Sequence, residues 1–553
     1  MESYPFHSII APPYRPSHVY LGRQELDRML RVTPLVLSCF SLAGYAQVSP
    51  EWVARYVAED SSFVHVCTDL EVDSQGNILV AGFIGEPDPI GRVVLLKYSP
   101  TGTLLWENRI NVYSNEAKLE VDASGAAYLM YRYYDDISNR DFVFTKYSSQ
   151  GDSLFTGRYS TSAAPSSDLA YSVFLDEQGF LHMTGEHGYV GLGDEFEILT
   201  VVFDPTGQEV WHAFHNAGAH GVERGLGVGA DQDGNTYVTG FSVDGEDSNL
   251  VVLKYDAAGL LDWERRHAGT TSALGRAIEV QGQRLIVGGV VSSPIDILCL
   301  GFSLNGDSLF EERFTAPWAW NAPDQINTMA VDDVGAVYIG GTACPGSGES
   351  DDYLVLKLDP EGEVLWHWRY NGGAGYDDAR AIDHDLFGST YVFGESRDSL
   401  LNTTVLLSVK LGAAGEVLWM SKYTEPSAWL YQAAAAELSM DGSFYAAGTE
   451  FRPDGTENFI LLKYGATVGV QEHTEGFLHV DPNPSSGTIT VDLPSGEGPL
   501  TIQVLNAIGQ QVLSWSTISG RERFSMDGFP GGAYHLVVRG VAYSGHARFI
   551  VAR

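Results

Sequence analysis

The sequence predicts an all-β chain: an eight-bladed β-propeller closed by its own N-terminal strand, followed by a small C-terminal Ig-like β-sandwich. Three observations predict it. One phrase recurs seven times, a second alternates with it eight times, and the residues after 464 use neither. A recurrence at fixed period outranks every local signal in a sequence.

The first phrase is seen in KLDPEGEVLWHWRY, which starts at Lys357. It reads as an apolar strand, a Gly turn and a second strand with an aromatic residue four positions after the Gly. The glycines are Gly102, Gly151, Gly207, Gly259, Gly306, Gly362 and Gly415; the aromatics are Trp106, Phe155, Trp211, Trp263, Phe310, Trp366 and Trp419. The second phrase, as in ADQDGNTYVTG ending at Gly240, places turn glycines at Gly76, Gly125, Gly179, Gly234, Gly282, Gly335, Gly388 and Gly442, at intervals of 48 to 55 residues. Weaker copies of this phrase end at Tyr131, Gly288 and Gly448. Each phrase is a strand–turn–strand unit, so one period holds four short strands, the content of one propeller blade.

This count leaves the eighth blade one strand short. EWVARYV, from Glu51 to Val57, carries Trp52 and Tyr56 at the spacing of Trp366 and Tyr370, and supplies that strand from the other end of the chain. Closure of this kind removes the free edges an open array would expose. The aromatics are expected to fill the wedges between adjacent sheets rather than to form a row for ligand stacking, and the glycines to occupy turn positions with positive φ.

The two ends read differently. From Met29 the chain runs MLRVTPLVLSCFSLAGYAQ: a positive residue, an apolar stretch, and the small residues Gly44 and Ala46. This is the pattern of a secretory signal cleaved before Gln47, too short to span a membrane, and no other segment is a transmembrane candidate. Residues 1–28 are polar and irregular, and Met29 is the better start. The expected organisation is therefore 1–46 extension and signal, 47–464 propeller, 465–477 linker and 478–553 C-terminal domain.

Charge is unevenly distributed. The whole chain carries −38; the tail from Phe477 balances five acids against five arginines, the first 46 residues carry +1 and the linker −2, which leaves −37 for residues 47–464. An acidic body argues against nucleic acid and anionic membrane surfaces as partners. Of four cysteines, Cys39 leaves with the signal, Cys67 lies in an apolar strand, and Cys299 and Cys344 stand in neighbouring blades, either free or paired.

The chain has no G-x-S-x-G, H-E-x-x-H, C-x-x-C or G-K-[ST]. DPTGQEVW and DPEGEVLW approach the Trp-docking phrase of quinoprotein dehydrogenases, but with one residue fewer between Asp and Gly and without vicinal cysteines. His212 and His215 differ by an odd number and face opposite sides of one strand. Asp231 and Asp233, in ADQDGN, resemble the start of a calcium loop that lacks its later Glu, so Ca2+ is the one cofactor to consider. Candidate ligand-binding residues lie on the variable connections, where recognition usually sits: Trp318 and Trp320, Tyr376, Trp429 and Tyr431, accompanied by acids. Aromatic faces beside acids suit a sugar, a cationic group or a calcium-bridged ligand. The function expected is a non-catalytic binding or scaffold protein with an extracellular carbohydrate or protein partner. The alternative is a propeller hydrolase, lyase or quinoprotein-like enzyme with a site assembled from loops.

The C-terminal segment carries Pro482, Asn483, Pro484 and Gly487, then Val504, Leu505, Asn506 and Gly509, then Phe529, Gly532 and Tyr534, with Arg548 before the last apolar strand. In these residues it resembles the type A C-terminal sorting domain of proteins exported by the type IX secretion system of the Bacteroidetes and their relatives; Asp481 stands where that family usually has Tyr. The resemblance implies passage through the periplasm, recognition by the outer-membrane translocon, and a protein secreted or displayed at the cell surface. The repeats also look like the propeller repeats that accompany such tails.

Overall fold

The computed structural model describes residues 46–57, 65–85, 91–114, 116–136, 139–161, 166–189, 196–216, 221–244, 247–267, 272–292, 296–317, 324–344, 351–399, 401, 403–466, 480–482, 485, 487–493, 500–506, 511–517, 520–539 and 544–552. All regular structure among them is β. The predicted signal therefore lies outside the described residues up to Tyr45, and so do Trp318, Trp320, Asn483, Pro484 and Gly509.

Before residue 465 the strands sort into eight antiparallel quartets. Quartet 1 is His65–Val72, Ile78–Gly85, Gly91–Tyr98 and Leu104–Ser114; quartet 2 is Ala117–Val121, Ala127–Asp136, Asn139–Tyr147 and Ser153–Tyr159. Quartet 3 is Ser166–Leu175, Leu181–Tyr189, Phe196–Phe203 and Glu209–His215; quartet 4 is Glu223–Ala230, Thr236–Asp244, Asp247–Tyr255 and Leu261–His267. Quartet 5 is Ala273–Gln281, Arg284–Val291, Asp296–Ser303 and Ser308–Phe314; quartet 6 is Gln325–Val331, Val337–Ala343, Asp352–Leu358 and Val364–Tyr370. Quartet 7 is Gly373–His384, Thr390–Asp398, Thr403–Leu411 and Val417–Tyr423. Quartet 8 is Leu430–Leu438, Phe444–Phe451 and Glu457–Tyr464, completed by Trp52–Tyr56, whose Trp52 pairs with Lys463 and Tyr56 with Phe459. A single parallel pair, Ser167 with Arg140, joins quartets 2 and 3. One short strand was not foreseen: Ala46–Gln47 pairs in parallel with Trp419–Met420, across the expected cleavage junction.

The third strand of each quartet is buried on both faces, which is why it reads as a continuous apolar run instead of alternating. Val93, Val94, Leu95 and Leu96 are all fully buried, as are Leu250, Val251, Val252 and Leu253. Cores form between quartets. One unites Cys67, Leu70 and Val80 of quartet 1 with Tyr445, Phe459 and Leu461 of quartet 8.

The first phrase is explained by contacts between neighbours. A Cβ on Gly102 would come 3.0 Å from the ring of Trp52, and one on Gly259 2.5 Å from that of Trp211; Gly151, Gly306 and Gly415 cover Trp106, Trp263 and Trp366 in the same way. Each outer-strand aromatic except Trp419 thus lies beneath the turn Gly of the following quartet. The indole N–H then donates to that turn: Trp52 to the Pro100 carbonyl at 3.2 Å, Trp106 to Ser149 at 3.2 Å, Trp366 to Ala413 at 2.9 Å. Trp419 would face the turn that quartet 8 lacks; it stacks on Tyr464 at 5.2 Å between centroids instead.

The Gly that ends the second phrase has another cause. In the first strands of seven quartets a bulge brings a carbonyl against the second strand. A Cβ on Gly185 would lie 1.8 Å from the Leu169 carbonyl oxygen and one on Gly341 1.9 Å from that of Gln325. Quartet 2, where Tyr131 replaces this Gly, pairs without a shift. In quartet 5 the bulge pairs Gly275 with Gly289, so Gly289 is the equivalent of the other phrase-ending glycines and Gly288 is not. The Lys that opens the first phrase answers the Asp that opens the turn: Lys97 Nζ lies 2.8 Å from Asp73 and Lys410 Nζ 3.3 Å from Asp385.

After residue 479 two sheets share one core. Val480–Asp481, Thr488–Asp492 and Arg521–Ser525 form the first; Gln511–Thr517, Leu500–Asn506, Gly532–Arg539 and Ser544–Val551 form the second. Ile489, Val491, Ile502, Leu536 and Phe549 are buried between them.

Candidate ligand-binding site

Antiparallel order puts the turns between first and second strands, and in quartets 1 to 7 also those between third and fourth strands, at one end, the turn end. The connections between second and third strands, and between one quartet and the next, lie at the opposite, loop end. The loop end carries a cleft of about 420 Å³ between quartets 7 and 8, lined by Tyr376, Glu395, Arg397, Thr404, Tyr431 and Gln432 among others.

The first strand of quartet 7 shapes one wall. Gly373 and Gly375 have φ of +100° and +118°, and Asp377 is the first residue to resume pairing after Gly373. This irregular entry leaves the Tyr376 ring 67% exposed. Asp377 fixes the backbone around it, its carboxylate accepting Gly372 N–H at 2.6 Å and Arg397 N–H at 3.1 Å. Tyr431, on the wall from quartet 8, is buried; its hydroxyl accepts Glu425 N–H at 3.1 Å and its ring meets Tyr423 edge-on. Trp429 is 58% exposed and adjoins the cleft through its chain neighbours, its carbonyl accepting the Thr403 hydroxyl at 2.7 Å and its N–H bonding Phe451. Of the aromatics expected to bind ligand, Tyr376 and Tyr431 therefore share one cleft, Tyr376 offering a face and Tyr431 a wall.

Glu395 forms the floor. Its Oε2 accepts Ala433 N–H at 2.6 Å, tying quartet 7 to quartet 8, and Arg380 bridges it to Asp378 at 3.5 and 2.8 Å. Burial pushes the Glu395 carboxyl above its usual range, with Ala433 N–H and Arg380 opposing. Burial likewise pushes Asp378 up to about 6, against Arg380 and with Glu395 adding. Asp377 is also pushed up to about 6 by burial, against hydrogen bonds from Ser396, Gly372 and Arg397. Glu395, Arg397 and Gln432 were not singled out from the sequence. Glu395 and Arg397 had only their position just beyond the phrase-ending Gly394 as a signal, and Gln432, on the first strand of quartet 8, had none.

Asp231 and Asp233 line a second cleft, of about 400 Å³, at the turn end between quartets 3 to 5. The Asp231 carboxylate is occupied by its own turn: Oδ1 accepts the N–H groups of Asp233 and Asn235 at 3.0 Å each, and Oδ2 accepts Asn235 Nδ2 and the Tyr237 hydroxyl at 2.8 Å. Asp73, Asp332 and Asp385 hold their turns in the same manner. Among the described residues no three His, Cys, Asp or Glu side chains are placed to hold a metal ion. Cys299 and Cys344 are not joined by a disulfide, and His215 is buried while His212 is exposed.

Carboxylates also converge along the first strands. Glu437 accepts Val72 N–H at 2.6 Å, Asp383 accepts Leu438 N–H at 2.9 Å and Asp69 accepts Leu119 N–H at 3.0 Å, so acids bridge quartets 7, 8, 1 and 2 in turn. Glu120 senses both Glu279 and Glu437, three and two quartets away. Burial pushes Glu279 up to about 7 and Glu437 up to about 8.

In the C-terminal unit five of the expected sorting residues are described: Pro482, Gly487, Asn506, Gly532 and Tyr534. Asn506 pairs with Tyr534, whose hydroxyl donates to the Pro530 carbonyl at 2.8 Å and whose ring stacks on Phe549. The Gly487 carbonyl accepts Met526 N–H at 2.8 Å, and a Cβ on Gly487 would approach Asp527 to 2.7 Å. Pro482 follows the short strand Val480–Asp481, and Gly532 opens its strand at φ +154°.

No curated protein matches the chain. Among solved structures, similarity extends to Sqt1 from Chaetomium thermophilum, 10% identical with TM-score 0.47 over 76% of this chain and 99% of that one. It extends also to the WD40 domain of SCAP from fission yeast, 9% identical with TM-score 0.41 over 73% and 99%. A polysaccharide lyase, the PL25 ulvanlyase, is 12% identical with TM-score 0.40 over 63% and 91%. Among the described residues no helix is long and apolar enough to cross a membrane. Residues 479–552 match the family described as the secretion system C-terminal sorting domain, and with that tail the chain is a type IX secretion sorting-domain protein, secreted or displayed at the outer-membrane surface by way of the periplasm.

Proposed function

We propose that the mature protein begins at Gln47 and that residues 47–464 form an eight-bladed propeller closed by Trp52–Tyr56. It binds an extracellular ligand in the cleft between quartets 7 and 8. Two features support closure: the core shared by quartets 1 and 8, and the acids of distant first strands that sense one another. The observation that carries the binding assignment is the cleft itself. It sets an exposed Tyr376 ring beside Arg397, Thr404 and Gln432, over a floor fixed by Glu395. A flat aromatic face with converging donors and acceptors suits a saccharide, whose C–H face stacks and whose hydroxyls hydrogen-bond.

Screening the purified protein against a glycan array, with and without Ca2+, tests this reading. A glycan hit whose affinity falls with Tyr376→Ala and Gln432→Ala is expected. Hits indifferent to both substitutions refute the assignment.

A second reading rests on Glu395, which lines the cleft, and on Asp378, to which Arg380 joins it; burial raises both carboxyls, the direction a proton donor needs. Under it the same cleft cleaves a polysaccharide, and Glu395→Gln abolishes release of new chain ends while Tyr376→Ala only weakens substrate capture.

A further inference from the structure

The turns joining first to second strands carry their tips at the turn end, and these tips differ around the molecule. In quartets 1 to 5 they are polar: Ser74 and Gln75, Ser124, Glu177 and Gln178, Gln232 and Asp233, Gln283. In quartets 6 to 8 they are large and apolar: Val334, 76% exposed, Leu386 at 90%, Phe387 at 87% and Met440 at 86%. These side chains are held out by rigid turns. Asp332 Oδ1 accepts Val334 and Ala336 N–H at 3.1 and 2.8 Å, Asp385 Oδ1 accepts Phe387 and Ser389 N–H at 3.0 and 2.9 Å, and the Ser439 carbonyl accepts Gly442 N–H at 2.8 Å.

The three tips are neighbours. Asn327 Nδ2 bonds the Ala379 carbonyl at 3.1 Å, tying quartet 6 to 7, and Leu438 N–H bonds Asp383 at 2.9 Å, tying 7 to 8 just before the tips. Reach from one tip to the next is seen where Gln281 Nε2 bonds Asp333 at 3.0 Å. Four adjacent large apolar side chains in water mark an interaction surface.

Charge selects the occupant. Asp333 and Asp441, both exposed, flank the apolar tips. The lysines nearby are turned inward, Lys410 and Lys463 to Asp385 and Glu51 and Lys357 to the Gly388 carbonyl. An acidic rim on a body of −37 repels a second copy and an anionic membrane alike. We infer that the tips of quartets 6 to 8 dock a partner protein segment in which large apolar side chains alternate with Lys or Arg.

The probe is a fluorescent octapeptide of alternating Lys and Leu, titrated by anisotropy against the full chain. Parallel arms use Glu–Leu and Lys–Ser octapeptides and phosphatidylcholine vesicles with and without phosphatidylglycerol. The Lys–Leu peptide is expected to bind at least about tenfold more tightly than either control peptide, because only it satisfies both the apolar and the charge requirement. The Leu386→Ser/Phe387→Ser/Met440→Ser variant and the Asp333→Asn/Asp441→Asn variant should each lose roughly tenfold, while Leu401→Ser at the loop end changes nothing. Thermal melting of each variant verifies that the exposed substitutions leave the fold intact. Equal binding by the triple variant, or by the Glu–Leu peptide, overturns the inference. So does tip-dependent vesicle binding, which would make the surface a membrane contact. A dimer that the triple variant converts to monomer overturns it too, by making the occupant a second copy.

Discussion

Replacing Gly259 by Ala tests whether the repeated Gly and aromatic form one packing unit. Two costs are expected. At φ +81° any Cβ is strained, by about 1–2 kcal/mol. The new Cβ would also lie 2.5 Å from Trp211 Cδ2, where roughly 3.5 Å is the close limit of comfortable contact, so the indole must move by about 1 Å. Overpacking of this size costs about 1–3 kcal/mol. Gly455 supplies the control, since its φ is +86° but nothing lies within 4 Å of the Cβ it would gain. Gly455→Ala should pay only the backbone term. Denaturant titration of both variants measures the difference, which should be about 1–3 kcal/mol, with the larger loss at Gly259. Adding Trp211→Leu to Gly259→Ala should cost less than the sum of the two single changes, because the smaller side chain makes room. Equal losses at Gly259 and Gly455 would refute the packing argument and reduce the phrase to turn chemistry.

Three further outcomes are expected. Glu279→Gln should stabilise the protein in a pH-dependent way: the carboxyl titrates near 4.5 unfolded and near 7 folded, so the native state holds the extra proton and stability falls as pH rises between those values. Burial of that size corresponds to at most about 3 kcal/mol, and less with water reaching the group, so melting curves should coincide near pH 4 and favour the variant above pH 7; a pH-independent difference would contradict the assignment. Deleting Glu51 to Val57 removes the pairing of Trp52–Tyr56 with residues 459–463 and should lower the melting temperature and expose an edge; an unchanged melt would show that this strand does not close the array. A chain lacking residues 478–553 should accumulate in the periplasm of its host, and its appearance outside the cell in normal amounts would contradict the sorting role.

The sequence by itself determined the all-β class, the period, the hairpin content of each repeat and the sorting tail. Those features are local: a Gly at positive φ, an apolar run in a strand buried on both faces, and an Asp that folds its own turn leave marks within a few residues. The pairing of Trp52–Tyr56 with quartet 8 was also legible, because that strand kept the aromatic spacing of the strands it imitates. What the residues do for one another was decided in three dimensions. The Trp in one repeat answers the Gly of the next, more than forty positions later, as Trp106 does Gly151. The phrase-ending Gly answers a bulge in the opposite strand. The functional surface lay further still from local reading. Tyr376 and Tyr431 meet only because quartets 7 and 8 pack side by side, and Tyr431 turns inward to Glu425 and Glu450 while Tyr376 turns out. Glu395 and Gln432 carry no motif. They reach the cleft because quartets 7 and 8 pack side by side, Glu395 accepting Ala433 N–H across the join, a contact that no pattern of residue types along one strand records.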